Sequence, residues 1–332
     1  MNYAILGAGA WGTAMAIHLA KQGMSVSLVP RRMEHALEMA SSRKNDAYLP
    51  GYALPYDLQI LGELKPALME SEVVFLASPI KGLRDLCQCI SNCLESAHQL
   101  DTVIALCKGL EPNTGKRAST VIQEELPHLQ CGTLSGPSFA SELASGLPTA
   151  ITFACETIVN RHQHMLEELS DTVLRIYLSH DLTGVEVGSC LKNIYAIGAG
   201  ISDGLGLGEN AKAAYLSRAL HEMSSIGVAL GGQQETFYGL SGMGDLIATA
   251  HGKCSRNRQF GEAIGKGHTP EKILAEQKTV VEGYHTTMEF YHLTQKQTIA
   301  APILEALFQV LHGNTSPGTA IETLMKRPVK HE

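Results

Sequence analysis

A short apolar run ending in a glycine-rich turn and a helix opens the chain. Strand-like runs then alternate with helical patterns as far as residue 184, and only helical patterns follow. These three observations predict an α/β protein, an N-terminal Rossmann-like doubly wound sheet followed by an all-helical C-terminal domain. The single change of pattern sets the expected domains at 1–184 and 185–332, and a chain of 332 residues is long enough to bury two cores.

The first unit reads in order from "MNYAILGAGAWGTAMAIHLAKQGMSVSLVPRR". Tyr3 to Leu6 are apolar and β-compatible, Thr13 to Lys21 repeat apolar residues at helical spacing, and Val26 to Val29 form a second strand. Gly7, Gly9 and Gly12 therefore fall in a strand-to-helix turn. In such a turn the first glycine permits the bend, the second lets backbone approach a pyrophosphate, and the third lets helix pack on strand. The helix N-terminus offers free N–H groups and a positive dipole end to the phosphates. A strand, the turn, a helix and a second strand within about 30 residues predict a dinucleotide-binding unit.

About 20 residues past such glycines, an acidic residue commonly binds the ribose hydroxyl of NAD, whereas an arginine accommodates the 2′-phosphate of NADP. Here the position reads Val29-Pro30-Arg31-Arg32, with the first carboxylate at Glu34. Arg31 and Arg32 favour NADPH, and Glu34 keeps NAD as the alternative.

Further strands are expected at Val73–Ala77, Thr102–Leu106, Thr149–Ala154 and Leu174–Leu178, with helices at Gly82–Leu94 and Ala118–Leu126 between them. Helices then follow at Val185–Ala199, Asn210–Leu230, Asn257–Gly265, Pro270–Gln277, Thr286–Thr294 and Ala301–Leu311. A net charge of −7 leaves no overall basic footprint for nucleic acid or an anionic membrane. The opening apolar residues are broken at once by glycines, so no secretory leader is expected, and no apolar run reaches the length of a membrane span. The expectation is a cytoplasmic protein with its eight cysteines reduced. Cys87, Cys89 and Cys93 lack a second CxxC or a His pair to complete a metal site, so no metal is expected. His162-x-His164 reads as an exposed helix start.

A bound nicotinamide would leave the protein to position a carbonyl substrate and deliver a proton. Lys192, in "VGSCLKNIYAIGAG", sits in a helix poor in other charges, where burial would lower the pKa of its ammonium. Lys108 follows the strand Thr102–Leu106, at the carboxyl end where such folds bind ligands. Asp245 is a lone carboxylate in "SGMGDLIATAHG". Ser255-Arg256-Asn257 opens a helix, and a capping serine with an adjacent arginine fits a seat for phosphate, the triplet by itself fitting a plain N-cap without ligand equally well.

The segments "GAGAWGTA", "CKGLE", "SGPSFA", "LKNIYAIGAGISDGLGLGENAKAA", "GLSGMGDLIAT", "CSRNRQFG" and "VVEGYHTT" together resemble the bacterial NAD(P)-dependent glycerol-3-phosphate dehydrogenase family, nearly end to end. The resemblance implies that Lys192 donates or accepts the proton. It implies substrate contacts from Lys108, Gly136, Ser138, Lys192, Asp245, Ser255, Arg256 and Asn257. For the cofactor it implies Gly7, Gly9, Ala10, Trp11 and Gly12, then Arg31, Arg32, Lys108, Ala140, Arg256, Val280 and Glu282. Ala10 stands where a serine is common, and Pro30 where a polar or aromatic residue is common.

The implied function is NAD(P)H-dependent, reversible reduction of dihydroxyacetone phosphate to sn-glycerol 3-phosphate, feeding glycerophospholipid synthesis. The implied partner is a small phosphorylated substrate, with no nucleic acid and no stable membrane insertion, and a homodimer is compatible with the sequence. A dehydrogenase of another small hydroxy acid would need a carboxylate anchor in place of the phosphate seat. A non-catalytic dinucleotide sensor would not require Lys192 and Asp245 in such apolar and glycine-rich surroundings.

Overall fold

The computed structural model describes residues 1–276 and 281–328. The chain divides into two compact units, one of Met1–Glu111 with Lys116–Leu182, the other of Pro112–Gly115 with Thr183–Glu332. Among the described residues no helix is long and apolar enough to cross a membrane.

The first unit is built on eight strands: β1 (Asn2–Leu6), β2 (Ser25–Val29), β3 (Gln59–Ile60), β4 (Val73–Leu76), β5 (Thr102–Ala105), β6 (Gln130–Ser135), β7 (Thr149–Cys155) and β8 (Leu174–Ser179). Their order across the sheet is β3-β2-β1-β4-β5-β6-β7-β8. Side chains alternate between two cores, as strand geometry requires. Tyr3 and Ile5 point to one layer with Phe75 and Ile104, while Ala4 and Leu6 point to the other with Val74 and Val103. The helix Ala10–Lys21 closes the first layer, and Leu83–Ser91 with Ala118–Glu125 close the second. Both faces are covered, which is why these strands read as continuous apolar runs.

Sequence reading missed two strands. β3 is only two residues long, and β6, "QCGTLS", is polar; it carries Gly132, where a Cβ would lie 2.6 Å from the Phe153 ring. β6 also pairs antiparallel with β7, so the sheet is parallel except at that one pair. The His162-x-His164 expectation is corrected in half. The helix Asn160–Leu169 starts there and His164 is exposed, but His162 is buried against Phe153 and Cys155, because its face turns to the sheet. Burial pushes the His162 imidazole below its ordinary pKa. Cys87 lies in the core, Cys89 is exposed and Cys93 is intermediate. No group of three metal-binding side chains gathers among the described residues.

The second unit is helical throughout its described secondary structure. Its centre is the 23-residue helix Leu182–Gly204, buried on every side over most of its length, as a helix apolar all round must be. The helix Arg256–Gly265 crosses it closely. A Cβ on Gly261 would strike the Ile197 carbonyl oxygen, and one on Gly265 would lie 2.5 Å from that of Ile201. Glu222, on the helix Glu209–Ala229, accepts the N–H groups of Ile303 and Leu304 at 2.8 Å each and the Tyr195 hydroxyl at 3.1 Å. It thereby caps the helix Pro302–Leu311. Burial raises the Glu222 carboxyl despite those donors, and burial beside Glu222 raises the Tyr195 hydroxyl.

Gly261→Ala is expected to destabilise the protein by about 1–3 kcal/mol, the scale of an overpacked crossing. A lower urea midpoint with unchanged slope would show it; an unchanged midpoint would contradict the close approach.

Candidate active site

β2, β1, β4, β5 and β6 run parallel, so their carboxyl ends share one edge of the sheet. Gly7 follows β1, donating from its N–H to the Val29 carbonyl at 2.9 Å, while the Ala77 N–H donates to Leu6 at 2.8 Å. The turn thus lies between the ends of β2 and β4, where the order of strands reverses. Gly7 has φ +116°, and a Cβ there would lie 2.6 Å from the Ala77 oxygen. A Cβ on Gly12 would strike the Gly7 carbonyl, so both positions demand glycine. Gly9 differs: a Cβ there would meet nothing within 4 Å. The second glycine therefore faces open space in front of the helix N-terminus, where Ala10 and Trp11 form the first turn. No side chain caps that end, and the turn carries no acidic residue.

The other residues expected in this unit reach the same edge. Arg31 and Arg32 are exposed between β2 and the helix Met33–Ser42. Lys108, half-buried, follows β5. Gly136 follows β6 with φ +147°, Ser138 Oγ donates to its carbonyl at 2.9 Å, and Ala140 opens the helix Ala140–Ala144. At the ends of β4 and β6 the buried hydroxyls of Ser78 and Ser135 have no hydrogen-bond partner among the described residues. An open glycine, an uncapped helix N-terminus, exposed arginines and orphaned hydroxyls are the features a phosphorylated dinucleotide fits.

In the helical unit, Lys192 is 7 % exposed and Asp245 3 %. Lys192 Nζ lies 3.0 Å from Asp245 Oδ1 and donates to Thr249 Oγ1 at 2.8 Å; Thr249 in turn donates to Asp245 Oδ1 at 3.2 Å. Asp245 and Thr249 are one turn apart on the helix Asp245–His251, so a single face presents both to Lys192. The helix is preceded by a π-turn over Leu240–Gly244, a distortion common at functional positions.

One residue on from Lys192, Asn193 Nδ2 donates to Glu282 Oε2 at 3.2 Å, and Asn193 Oδ1 accepts from Asn257 Nδ2 at 2.8 Å. Asn257 Oδ1 accepts the Gly283 N–H at 3.0 Å. Asn257 is thus buried and engaged at both ends of its amide, while Arg256 beside it is exposed. Ser255 caps the helix Arg256–Gly265 by accepting the Arg258 N–H at 3.3 Å. Arg258 Nη1 donates to Asp203 Oδ2 at 2.7 Å, and Lys212 Nζ lies 2.9 Å from Asp203 Oδ1, which braces the turn from behind. Burial alone would raise the Asp203 carboxyl, but Lys212 and Arg258 hold it below its ordinary pKa. Glu282 opens the helix Glu282–Gln297; Val280 lies outside the described residues.

A model described as the NAD-dependent glycerol-3-phosphate dehydrogenase N-terminus matches residues 2–160, and one described as the C-terminus of the same enzyme matches residues 181–322. The chain belongs to the NAD-dependent glycerol-3-phosphate dehydrogenase family. It is 42% identical over 328 residues to a glycerol-3-phosphate dehydrogenase [NAD(P)+] of Nitrosomonas europaea, covering 98% of each chain. It is likewise 42% identical over 332 residues to one from Thermoanaerobacter sp., covering 100% of this chain and 99% of the relative. A crystal structure of glycerol-3-phosphate dehydrogenase from Coxiella burnetii superposes with a TM-score of 0.90 at 35% identity, over 98% of this chain and 99% of that one. Glycerol-3-phosphate dehydrogenases of this family are oxidoreductases that use NAD or NADP.

Thr249 and Asn193 escaped the reading of the sequence. Asp245 and Thr249 at i and i+4 were a visible signal, but Lys192 stands 57 residues from Thr249 and only folding joins them. Asp245→Asn removes the partner of a buried ammonium and is expected to cost about 3–5 kcal/mol of stability. In a denaturation cycle the double variant Lys192→Met/Asp245→Asn should recover part of that loss; simple additivity would contradict a coupled pair.

Proposed function

We propose that this glycerol-3-phosphate dehydrogenase reduces dihydroxyacetone phosphate to sn-glycerol 3-phosphate, reversibly, with NADPH preferred over NADH. The buried Lys192–Asp245–Thr249 cluster, in a chain of this family, carries the reading. A nicotinamide dinucleotide held at the glycine turn of Gly7, Gly9 and Gly12 would supply or accept the hydride. Lys192 Nζ stabilises the charge growing on the ketone oxygen and donates the proton to it; in the oxidative direction it takes the proton back. Asp245 and Thr249 hold Nζ in place through the contacts at 3.0 and 2.8 Å.

Arg256, exposed at the start of its helix, and the Ser255-capped turn are assigned to the substrate phosphate, with Asn257 fixing the turn. Lys108, Gly136 and Ser138 are assigned to substrate. Gly7, Gly9, Ala10, Trp11, Gly12, Arg31, Arg32, Lys108, Ala140, Arg256, Val280 and Glu282 are assigned to the dinucleotide. The domains proposed are 1–184 for the cofactor and 185–332 for the substrate. The enzyme works in the cytoplasm, supplying glycerophospholipid synthesis, and a homodimer is compatible with its sequence.

The test is an assay of NADPH and NADH oxidation with dihydroxyacetone phosphate and with unphosphorylated dihydroxyacetone. Turnover is expected with the phosphorylated ketone and only weakly without the phosphate; equal use of both would contradict the phosphate seat.

Replacing Arg31 and Arg32 by alanine should raise KM for NADPH far more than for NADH, each lost charge-assisted contact being worth about 1.5–3 kcal/mol. Equal effects on the two cofactors would remove the assignment. Arg256→Ala should weaken use of dihydroxyacetone phosphate far more than that of dihydroxyacetone, whose turnover loses only the cofactor contact. Equal losses would mean that Arg256 serves the cofactor or the fold alone and not the substrate phosphate.

A further inference from the structure

The glycine-rich turn is held from behind by a side chain that lies outside the glycine motif. Asn45 is 1 % exposed; its Nδ2 donates to the Ala8 carbonyl at 2.9 Å and to Thr13 Oγ1 at 2.7 Å, and its Oδ1 lies 3.1 Å from His35 Nε2. A carbonyl oxygen can only accept, so Ala8 fixes which end of the amide faces it and makes His35 Nε2 the donor to Oδ1. Ala8 lies between the first two glycines of the turn. Thr13 directly follows the third and is fully buried. His35 sits in the first turn of the helix Met33–Ser42, which Arg31 and Arg32 lead into. One buried amide therefore ties three parts together: the backbone of the turn, the helix behind it, and the helix that follows the arginines.

Asn45 is itself held rigidly. Its carbonyl accepts the Leu49 N–H at 2.8 Å, the Arg43 carbonyl accepts that of Leu54 at 2.8 Å, and Leu49, Leu54 and Leu58 are buried in the same core as Met39. A turn built on Gly7, Gly9 and Gly12 has wide conformational freedom of its own. Its shape must come from outside, and the bond to Ala8 supplies it next to Gly9, whose open side receives no protein atom.

We infer that Asn45 is a positioning residue for the dinucleotide: it sets the Ala8–Gly9 backbone for the pyrophosphate and, through His35, sets the spacing of that turn from Arg31 and Arg32. This rests on the dinucleotide reading of the site.

The test is direct titration of NADPH and NADH binding by nicotinamide fluorescence in the full chain. Wild type, Asn45→Ala, the isosteric Asn45→Asp and His35→Ala are compared, with folding checked by circular dichroism. Both Asn45 variants are expected to weaken both cofactors by about tenfold or more, the scale of one lost buried hydrogen bond, while kcat at saturating cofactor stays within about threefold. His35→Ala should weaken NADPH more than NADH, a ratio that a merely structural role would not move. Folded Asn45 variants with wild-type dissociation constants overturn the inference. So does failure of both to fold, which would make Asn45 a determinant of the fold rather than of the cofactor site. Wild-type protein that binds neither cofactor overturns the dinucleotide reading itself, whatever the variants do.

Discussion

An ammonium group almost wholly withdrawn from water cannot stand without compensation, and the helical unit is arranged around the one on Lys192. The carboxylate of Asp245 balances the charge, Thr249 accepts one of its hydrogens, and both come from one face of a single short helix. Such a pair is a poor source of stability, since desolvation consumes most of what the attraction gains. Its retention in the core of the central helix fits a chemical role better than a structural one. The same helix carries Asn193 one residue on, whose amide links Asn257 and Glu282, so the proton-bearing group and the proposed phosphate turn are held by one rigid rod. The glycine-lined crossing by Arg256–Gly265 lets that rod and the phosphate turn approach at backbone distance.

The first unit answers to a different constraint. Parallel pairing of β1 between β2 and β4 forces the glycine turn into the reversal point of the sheet, and the parallel run through β5 and β6 brings Lys108, Gly136 and Ser138 to the same edge. There the backbone is bent and open where phosphates need N–H donors, and closed where helix must touch strand. Gly9 and Gly12 differ in this way although both are glycines three residues apart.

What the sequence revealed followed the range of its interactions. The strand-turn-helix unit, the apolar strands and the charge-poor helix around Lys192 are set by neighbours a few residues away, and periodicity exposes them. The direction of β6 is not a local property, and its polar "QCGTLS" resembles no buried strand, because Gly132 and Thr133 pack through Phe153 and the Ala105 carbonyl rather than through bulk. His162 was misread because its pattern is shared by exposed and buried faces alike, and the sheet beneath it decides. Thr249 and Asn45 lie beyond reach for a plainer reason. Lys192 is 57 residues from Thr249, and Thr13 and Ala8 are 32 and 37 from Asn45, so only folding shows what these two side chains hold.

The account turns on Lys192 as the group that moves the proton, and turnover of folded Lys192→Met protein with dihydroxyacetone phosphate and NADPH tests it most directly. Methionine keeps the length of the side chain and removes the proton. With cofactor affinity unchanged, the account predicts a fall in kcat of at least about 100-fold, the usual scale of general acid catalysis. A fall of less than about tenfold in protein that still folds and binds cofactor would contradict it and move proton transfer to another group.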